Sequence, residues 1–167
     1  MIILVAGLPG SGKSYFASQL ALKIDASYIN SDLVRKALGT LGKYTFKDKL
    51  EVYSKMVSLA ESSLRKGRPA IVDATFYLQS TRNMFIELAR KYASVIHMIV
   101  VYADEDLIKQ RLSLPRKDSE ADFSVYKQVK MEFEGLTFPH LELESTDDNI
   151  ETMLNRAVNY LESKSHE

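Results

Sequence analysis

The chain has no cysteine and no tryptophan, and only seven glycines and four prolines among 167 residues. Without thiols there is no disulfide framework, no thiolate zinc site and no cysteine nucleophile. That absence fits a reducing compartment. An excess of one charge is also lacking, since 22 Lys and Arg balance 22 Asp and Glu. Nucleic-acid binders usually carry a pronounced basic excess. No run approaches the ~20 apolar residues of a membrane span. The apolar opening, Met1 to Ala6, is too short for a signal peptide. What remains is one soluble, cytoplasmic α/β domain over residues 1–167, with no membrane and no obligate protein partner expected.

The charge that is present is unevenly spread. Residues 1–50 carry seven basic and three acidic side chains, net +4, and residues 135–167 carry two basic and seven acidic, net −5. The sign of the first portion suits a phosphate-bearing ligand, and the acidic tail reads as a solvated helix face.

Hydrophobic periodicity gives the order of elements. Ile2 to Ala6, Ala70 to Asp73 and Val95 to Tyr102 are apolar runs of the kind buried on both faces of a parallel sheet. Ser27 to Asn30 is a further short strand. Leu141 and Leu143, alternating with Glu142 and Glu144, form a half-exposed edge strand. Helical spacing connects them. Phe16, Leu20 and Ile24 mark one helix, and Ser31 is expected to cap a second from Asp32 to about Gly39. A long helix runs through Leu50, Tyr53, Val57, Ala60 and Leu64. Others cover about 79–92, 104–112, 123–133 and 150–161. Strands alternating with such helices imply a parallel sheet covered on both faces.

Gly7-Leu8-Pro9-Gly10-Ser11-Gly12-Lys13-Ser14 fits G-x-x-x-x-G-K-[ST] in full, between a buried strand and a helix. Gly7, Gly10, Ser11 and Gly12 let the backbone curl round a phosphate and turn its N–H groups inward. The helix that follows brings its positive end to the same place. Lys13 supplies a point charge for the β- and γ-phosphates, and Ser14 a hydroxyl for Mg²⁺. Asp73 ends an apolar strand, where ligands bind in such sheets. It is a candidate second carboxylate for the metal's water shell, or else a turn cap.

Asp32 and Arg35 are three apart and share a helix face directly after the second strand. Such a carboxylate can take the proton of an attacking hydroxyl, and such a guanidinium can grip a phosphate oxygen. A capped helix with an internal ion pair has the same spacing. Gln110 to Lys117, with Arg111, Arg116 and Lys117 around Pro115, reads either as a lid over the nucleotide, about 111–121, or as an exposed basic helix end. Residues 39–49 read as a flexible segment in which Tyr44 and Phe46 alternate with Lys43, Lys47 and Lys49. Stacking of bases there and burial of the rings on the core are both compatible with that pattern. His97, inside an apolar strand, reads as a core residue, and His140 and His166 have no partners at metal-ligand spacing.

Gly7 to Ser14, Ser31-Asp32-x-x-Arg35, Val72-Asp73-Ala74-Thr75-Phe76 and Asp118 to Phe123, taken in order, resemble the P-loop kinases related to 5′-hydroxyl polynucleotide kinase, a group of AAA-type predicted kinases. The resemblance implies a five-stranded parallel sheet in the order 2-3-1-4-5, with ATP and Mg²⁺ as cofactors. It implies Asp32 as general base on the acceptor hydroxyl and Arg35 as the contact to an acceptor-side phosphate. It implies Lys13 and Ser14 as phosphate lysine and magnesium ligand, and Arg111 and Arg116 as lid arginines closing over ATP. The implied reaction moves the γ-phosphate of ATP to an alcohol, either a 5′-hydroxyl nucleic-acid end or a small metabolite. A nucleoside or nucleotide kinase on the same fold, and an ATPase switch with no acceptor, are the competing readings.

Overall fold

The computed structural model describes residues 1–115 and 120–164. Five strands and seven helices alternate along these residues: β1 (Ile2–Ala6), α1 (Lys13–Lys23), β2 (Ser27–Asn30), α2 (Ser31–Ala37), α3 (Phe46–Arg65), β3 (Ala70–Asp73), α4 (Gln79–Lys91), β4 (Ile96–Tyr102), α5 (Glu105–Leu112), α6 (Phe123–Glu132), β5 (Leu141–Glu144) and α7 (Ile150–Lys164). The strands form one parallel sheet in the order β2-β3-β1-β4-β5. This is the order that the resemblance implies.

The apolar run of β1 has a physical use for every residue. Side chains alternate across a strand, so Ile2, Leu4 and Ala6 join the cluster under α3 and α4, with Val52, Met56, Phe85 and Leu88. Ile3 and Val5 join the cluster on the other face with Phe16, Leu20, Met153 and Leu154 of α1 and α7. All five are fully buried. Burying each of the larger four contributes about 1.5–3 kcal/mol. His97 lies buried in β4, its ring edge-on to Tyr160 at 5.7 Å between centroids. At the sheet's edge, β5 keeps Leu143 buried while Glu142 and Glu144 are exposed. No helix among the described residues is long and apolar enough to cross a membrane.

Two helix starts differ from the sequence expectation. Asn30, not Ser31, caps α2, its side chain accepting from the Leu33 N–H at 2.9 Å. Asn caps as well as Ser does, and only the backbone decides which lies outside the first turn. The long helix begins at Phe46 rather than near Leu50, because Thr45 and Asp48 form a reciprocal capping box. The segment 39–49 is therefore helical in its last four residues.

Candidate active site

The topology brings three segments to one sheet edge. In register, Val5 pairs with Asp73, which pairs with Asn30. The chain therefore leaves β1, β2 and β3 at one level and in one direction. The exits are the glycine-rich turn, the start of α2 and the Ala74–Leu78 loop. A parallel sheet collects ligands at this edge, where β1 separates strands running to either side.

The turn from Gly7 to Gly12 is tightly enclosed. Gly12 has φ +88°, and a Cβ there would stand 2.6 Å from the Ser145 Oγ. A side chain is thus excluded by both backbone and space. A Cβ on Gly10 would meet Leu112 and Ile108 of α5 at 3.0–3.1 Å. Lys13 opens α1 and Ser14 follows, so both stand at the positive end of that helix. Ser11 is buried, its N–H donating to the Leu8 carbonyl at 3.1 Å.

Asp73 is fully buried. Its Oδ2 accepts from the Asn30 amide at 2.6 Å and from the Tyr28 hydroxyl at 2.7 Å. The same Asn30 amide reaches the Ser14 Oγ at 3.4 Å, so one side chain bridges the two candidate metal ligands. The Oδ1 of Asp73 is buried with no hydrogen-bond partner among the described residues. A buried polar atom left so is costly, about 1–3 kcal/mol, unless a ligand or water completes it. Asp73 caps no helix, since Leu78 stands at the start of α4. Burial first, and then the Asp73 charge, hold the Tyr28 hydroxyl far above the usual phenol range, so it remains a donor. No sequence signal points to Tyr28, which lies 45 positions from its partner.

Asp32 and Arg35 do pair across one helix turn, Nη1 to Oδ1 at 3.1 Å. The Arg35 side chain is only 9% exposed and that of Asp32 30%. The carboxylate is thus open to a second reactant while the guanidinium is sequestered. The Tyr44 ring lies over the guanidinium, 4.9 Å from its Cζ. The Tyr44 hydroxyl donates to Glu120 at 2.8 Å. Burial, then this bond, push its pKa up to about 12.

Beyond the turn, a cavity of about 480 Å³ opens between Phe16, Arg111, Pro115, Ser145, Asn149 and Met153. Arg111 lines it, donating to the Ser145 Oγ at 3.2 Å and to the Gly10 carbonyl at 3.3 Å, and pairing with Asp147 at 3.5 Å. The loop from Ser145 to Asn149 was not foreseen, because its side chains carry no motif of their own. Arg116, with Lys117, lies outside the described residues.

The third exit, after β3, is held by Arg82. This side chain is fully buried and forms no ion pair among the described residues. Its five N–H groups donate to the carbonyls of Phe76, Tyr77, Glu134 and Gly135 and to the Gln79 Oε1, at 2.6–3.1 Å. They hold Phe76, which has the unusual φ of +50° for an aromatic residue. The Phe76 ring packs edge-on between Tyr53 and Phe85.

A parallel sheet of this order, with helices on both faces and the glycine-rich turn after β1, defines the P-loop NTPase fold. The chain matches the family model described as AAA domain over residues 2–136, and it belongs to that family. Solved structures share its fold over nearly their whole length. The APS kinase CysC of Mycobacterium tuberculosis, in complex with AMPPNP and APS, is 17% identical, with 96% of each chain covered and a TM-score of 0.73. A gluconokinase from Sinorhizobium meliloti 1021 is 17% identical, covering 98% of this chain and 97% of its own, at 0.70. Chaetomium thermophilum Kti12, in complex with ADP-AlF3, is 16% identical, covering 95% and 98%, at 0.73.

Proposed function

We infer that the protein is an ATP-dependent kinase that transfers the γ-phosphoryl group to a hydroxyl of a small molecule. The observation that carries this reading is the meeting of two sites at one sheet edge. One is the phosphate turn with Lys13 and Ser14, and the other is a solvent-accessible Asp32 backed by a buried Arg35. A nucleotide switch has a use for the first and none for the second. Two similar structures bear the names APS kinase and gluconokinase, which supports a small acceptor over a nucleic-acid end. Zero net charge supports it too.

The roles follow from position. The turn's backbone N–H groups and Lys13 hold the β- and γ-phosphates. The base and ribose occupy the 480 Å³ cavity, under Arg111. Asp32 accepts the acceptor's hydroxyl proton as its oxygen attacks the γ-phosphorus and the bond to the β,γ-bridging oxygen breaks, releasing ADP. Arg35 grips an anionic group of the acceptor, and Arg111 and Arg116 neutralise charge on the nucleotide side. For Mg²⁺ the donors fit, because a hard cation takes oxygen ligands and both the Ser14 hydroxyl and the unpaired Asp73 Oδ1 are available. Bound there, the cation would neutralise phosphate charge; Asn30 and Tyr28 hold the carboxylate still.

A second reading has one observation in its favour. Phe46 is 75% exposed beside Lys43 and Lys47, as a stacking surface for a 5′-hydroxyl polynucleotide end would be. A transfer screen with radiolabelled ATP decides between them. Its acceptors are gluconate and other sugar acids, sugars, nucleosides, aminoglycosides and a 5′-hydroxyl oligonucleotide. Label on a small acceptor, with a rate nearly independent of salt, is the expected result. Label on the oligonucleotide alone, falling steeply with salt, overturns it. Hydrolysis with no labelled acceptor favours the switch.

A further inference from the structure

We propose that Glu120 and Tyr44 are positioning residues for Arg35: they hold its guanidinium so that the buried Nε–H is presented to the acceptor. The inference rests on the reading of Arg35 as the acceptor's anion contact. It starts from an unmet bond. Arg35 is 7% exposed, yet its Nε has no hydrogen-bond partner among the described residues. A donor buried in this state calls for an acceptor atom from a ligand or a water, and the proposal assigns it to the ligand. A guanidinium is useful for that only in one orientation, because its donors form a rigid fork.

Two contacts orient the guanidinium and one holds the backbone beneath it. One is Asp32, 3.1 Å from Nη1. A base that takes a proton during the reaction is a poor sole anchor, since its attraction for Arg35 changes as it does so. The second lies in the backbone, where the Thr40 N–H and hydroxyl both donate to the Arg35 carbonyl, at 3.0 and 3.2 Å, and close the end of α2. The third is the Tyr44 ring, stacked on the guanidinium face. That ring sits in a stretch of chain with little to hold it. Gly39 and Gly42 have positive φ, and around their Cα atoms there is open space.

Glu120 supplies what the loop lacks. Its Oε2 accepts from the Gly42 N–H at 2.9 Å and from the Tyr44 hydroxyl at 2.8 Å. One carboxylate oxygen, 76 residues further along the chain than Tyr44, thereby pins both the loop backbone and the far end of the ring. Burial keeps that hydroxyl protonated, so the bond persists across the neutral range. The chain of contacts runs Glu120, Tyr44, Arg35, Asp32.

The test uses the full ¹⁵N-labelled chain saturated with AMPPNP and magnesium, so that the phosphate turn is filled. Inorganic phosphate is titrated in as the probe, and the Arg35 Nε–Hε resonance, assigned by its loss in R35K, is followed. In the wild-type chain the resonance shifts and saturates. In E120A and Y44F the apparent phosphate affinity falls about five- to tenfold, as for loss of one hydrogen bond that orders a charged group. E120Q retains an accepting oxygen and restores the wild-type value, and AMPPNP affinity is the same in all four chains. Glu120 and Tyr44 are both exposed, so E120A, E120Q and Y44F do not threaten the fold. Equal phosphate affinity in wild type, E120A and Y44F overturns the positioning role while leaving Arg35 as the anion contact. A wild-type resonance that phosphate does not move overturns the Arg35 reading itself. A loss in E120A that E120Q fails to restore shows that the carboxylate acts by charge, and also overturns the proposal.

Discussion

A Cβ built on Gly12 stands 2.6 Å from Ser145 Oγ, and one on Gly10 stands 3.0 Å from Leu112; Cβ atoms built on Gly39 and Gly42 meet nothing within 4 Å. The two pairs of glycines lie on opposite halves of one sheet edge. On the nucleotide half, glycine is required because α5 and the loop after β5 close in on the turn. On the half with Asp32 and Arg35, where the proposed acceptor binds, glycine ends α2 and lets the chain reverse in open solvent. Under the proposed function, the crowded half takes a ligand of fixed chemistry and the open half takes an acceptor whose chemistry can vary.

Removing Lys13 tests the crowded half most severely. Lys13→Ala is expected to cut phosphoryl transfer by about 10³–10⁵, with nucleotide affinity reduced as well. Asp32→Asn, on the open half, should cost about 10²–10⁴ in transfer rate while AMPPNP affinity stays within about twofold. Titration calorimetry with AMPPNP beside transfer kinetics separates the two. If Asp32→Asn keeps full activity on the true acceptor, the general base lies elsewhere. If it weakens AMPPNP binding as much as Lys13→Ala does, the division into halves fails.

Arg82→Ala probes whether the half with Asp32 and Arg35 is loose throughout. Five donors vanish from a fully buried place, leaving four carbonyls without them. The expected loss is on the order of 3 kcal/mol or more by urea denaturation. Arg82→Lys recovers little of it, because an ammonium has three donors and no planar fork. A loss under about 1 kcal/mol would mean that water replaces the guanidinium and that this exit is as open as the Gly39 turn.

What could be read from the sequence divides along a different line, that of range. The strands and the faces of α3, α4 and α7 were legible, because Leu50, Tyr53, Val57 and Leu64, or Ile150, Leu154 and Leu161, repeat at helical spacing; the fold buries Tyr53, Leu154 and Leu161, half-buries Val57, Leu64 and Ile150, and leaves Leu50 exposed. The phosphate turn was legible because its chemistry sits in eight consecutive residues. The Asp32–Arg35 pair was visible as a spacing, but its surroundings were not. Tyr44 over the guanidinium and Glu120 on Tyr44 join residues nine and 76 apart along the chain. Tyr28 was silent for the same reason, since it meets a strand across the sheet, and what Arg82 holds was hidden likewise, because it collects carbonyls that every residue type possesses. The starts of α2 and α3 went astray by one to four residues, where two neighbours could each cap and only backbone geometry chose.

The smallest expected effect gives the comparison its finest edge. Phe46 is the first residue of α3 and is 75% exposed, unlike Phe76 and Phe85, which are fully buried. The capping box that starts α3 uses Thr45 and Asp48 and makes no use of the Phe46 ring. Phe46→Ser should therefore change stability by no more than about 0.5 kcal/mol, read from the midpoint of thermal or urea unfolding. Its effect on transfer to a small acceptor should be equally slight, since Asp32, Arg35 and Tyr44 keep all their contacts. A clear drop in transfer to an oligonucleotide, with no drop for any small acceptor, would give the ring a stacking role and turn the open half towards nucleic acid. A stability loss above about 1 kcal/mol would instead mean that the ring covers apolar surface, and that this half is closed more tightly than its glycines suggest.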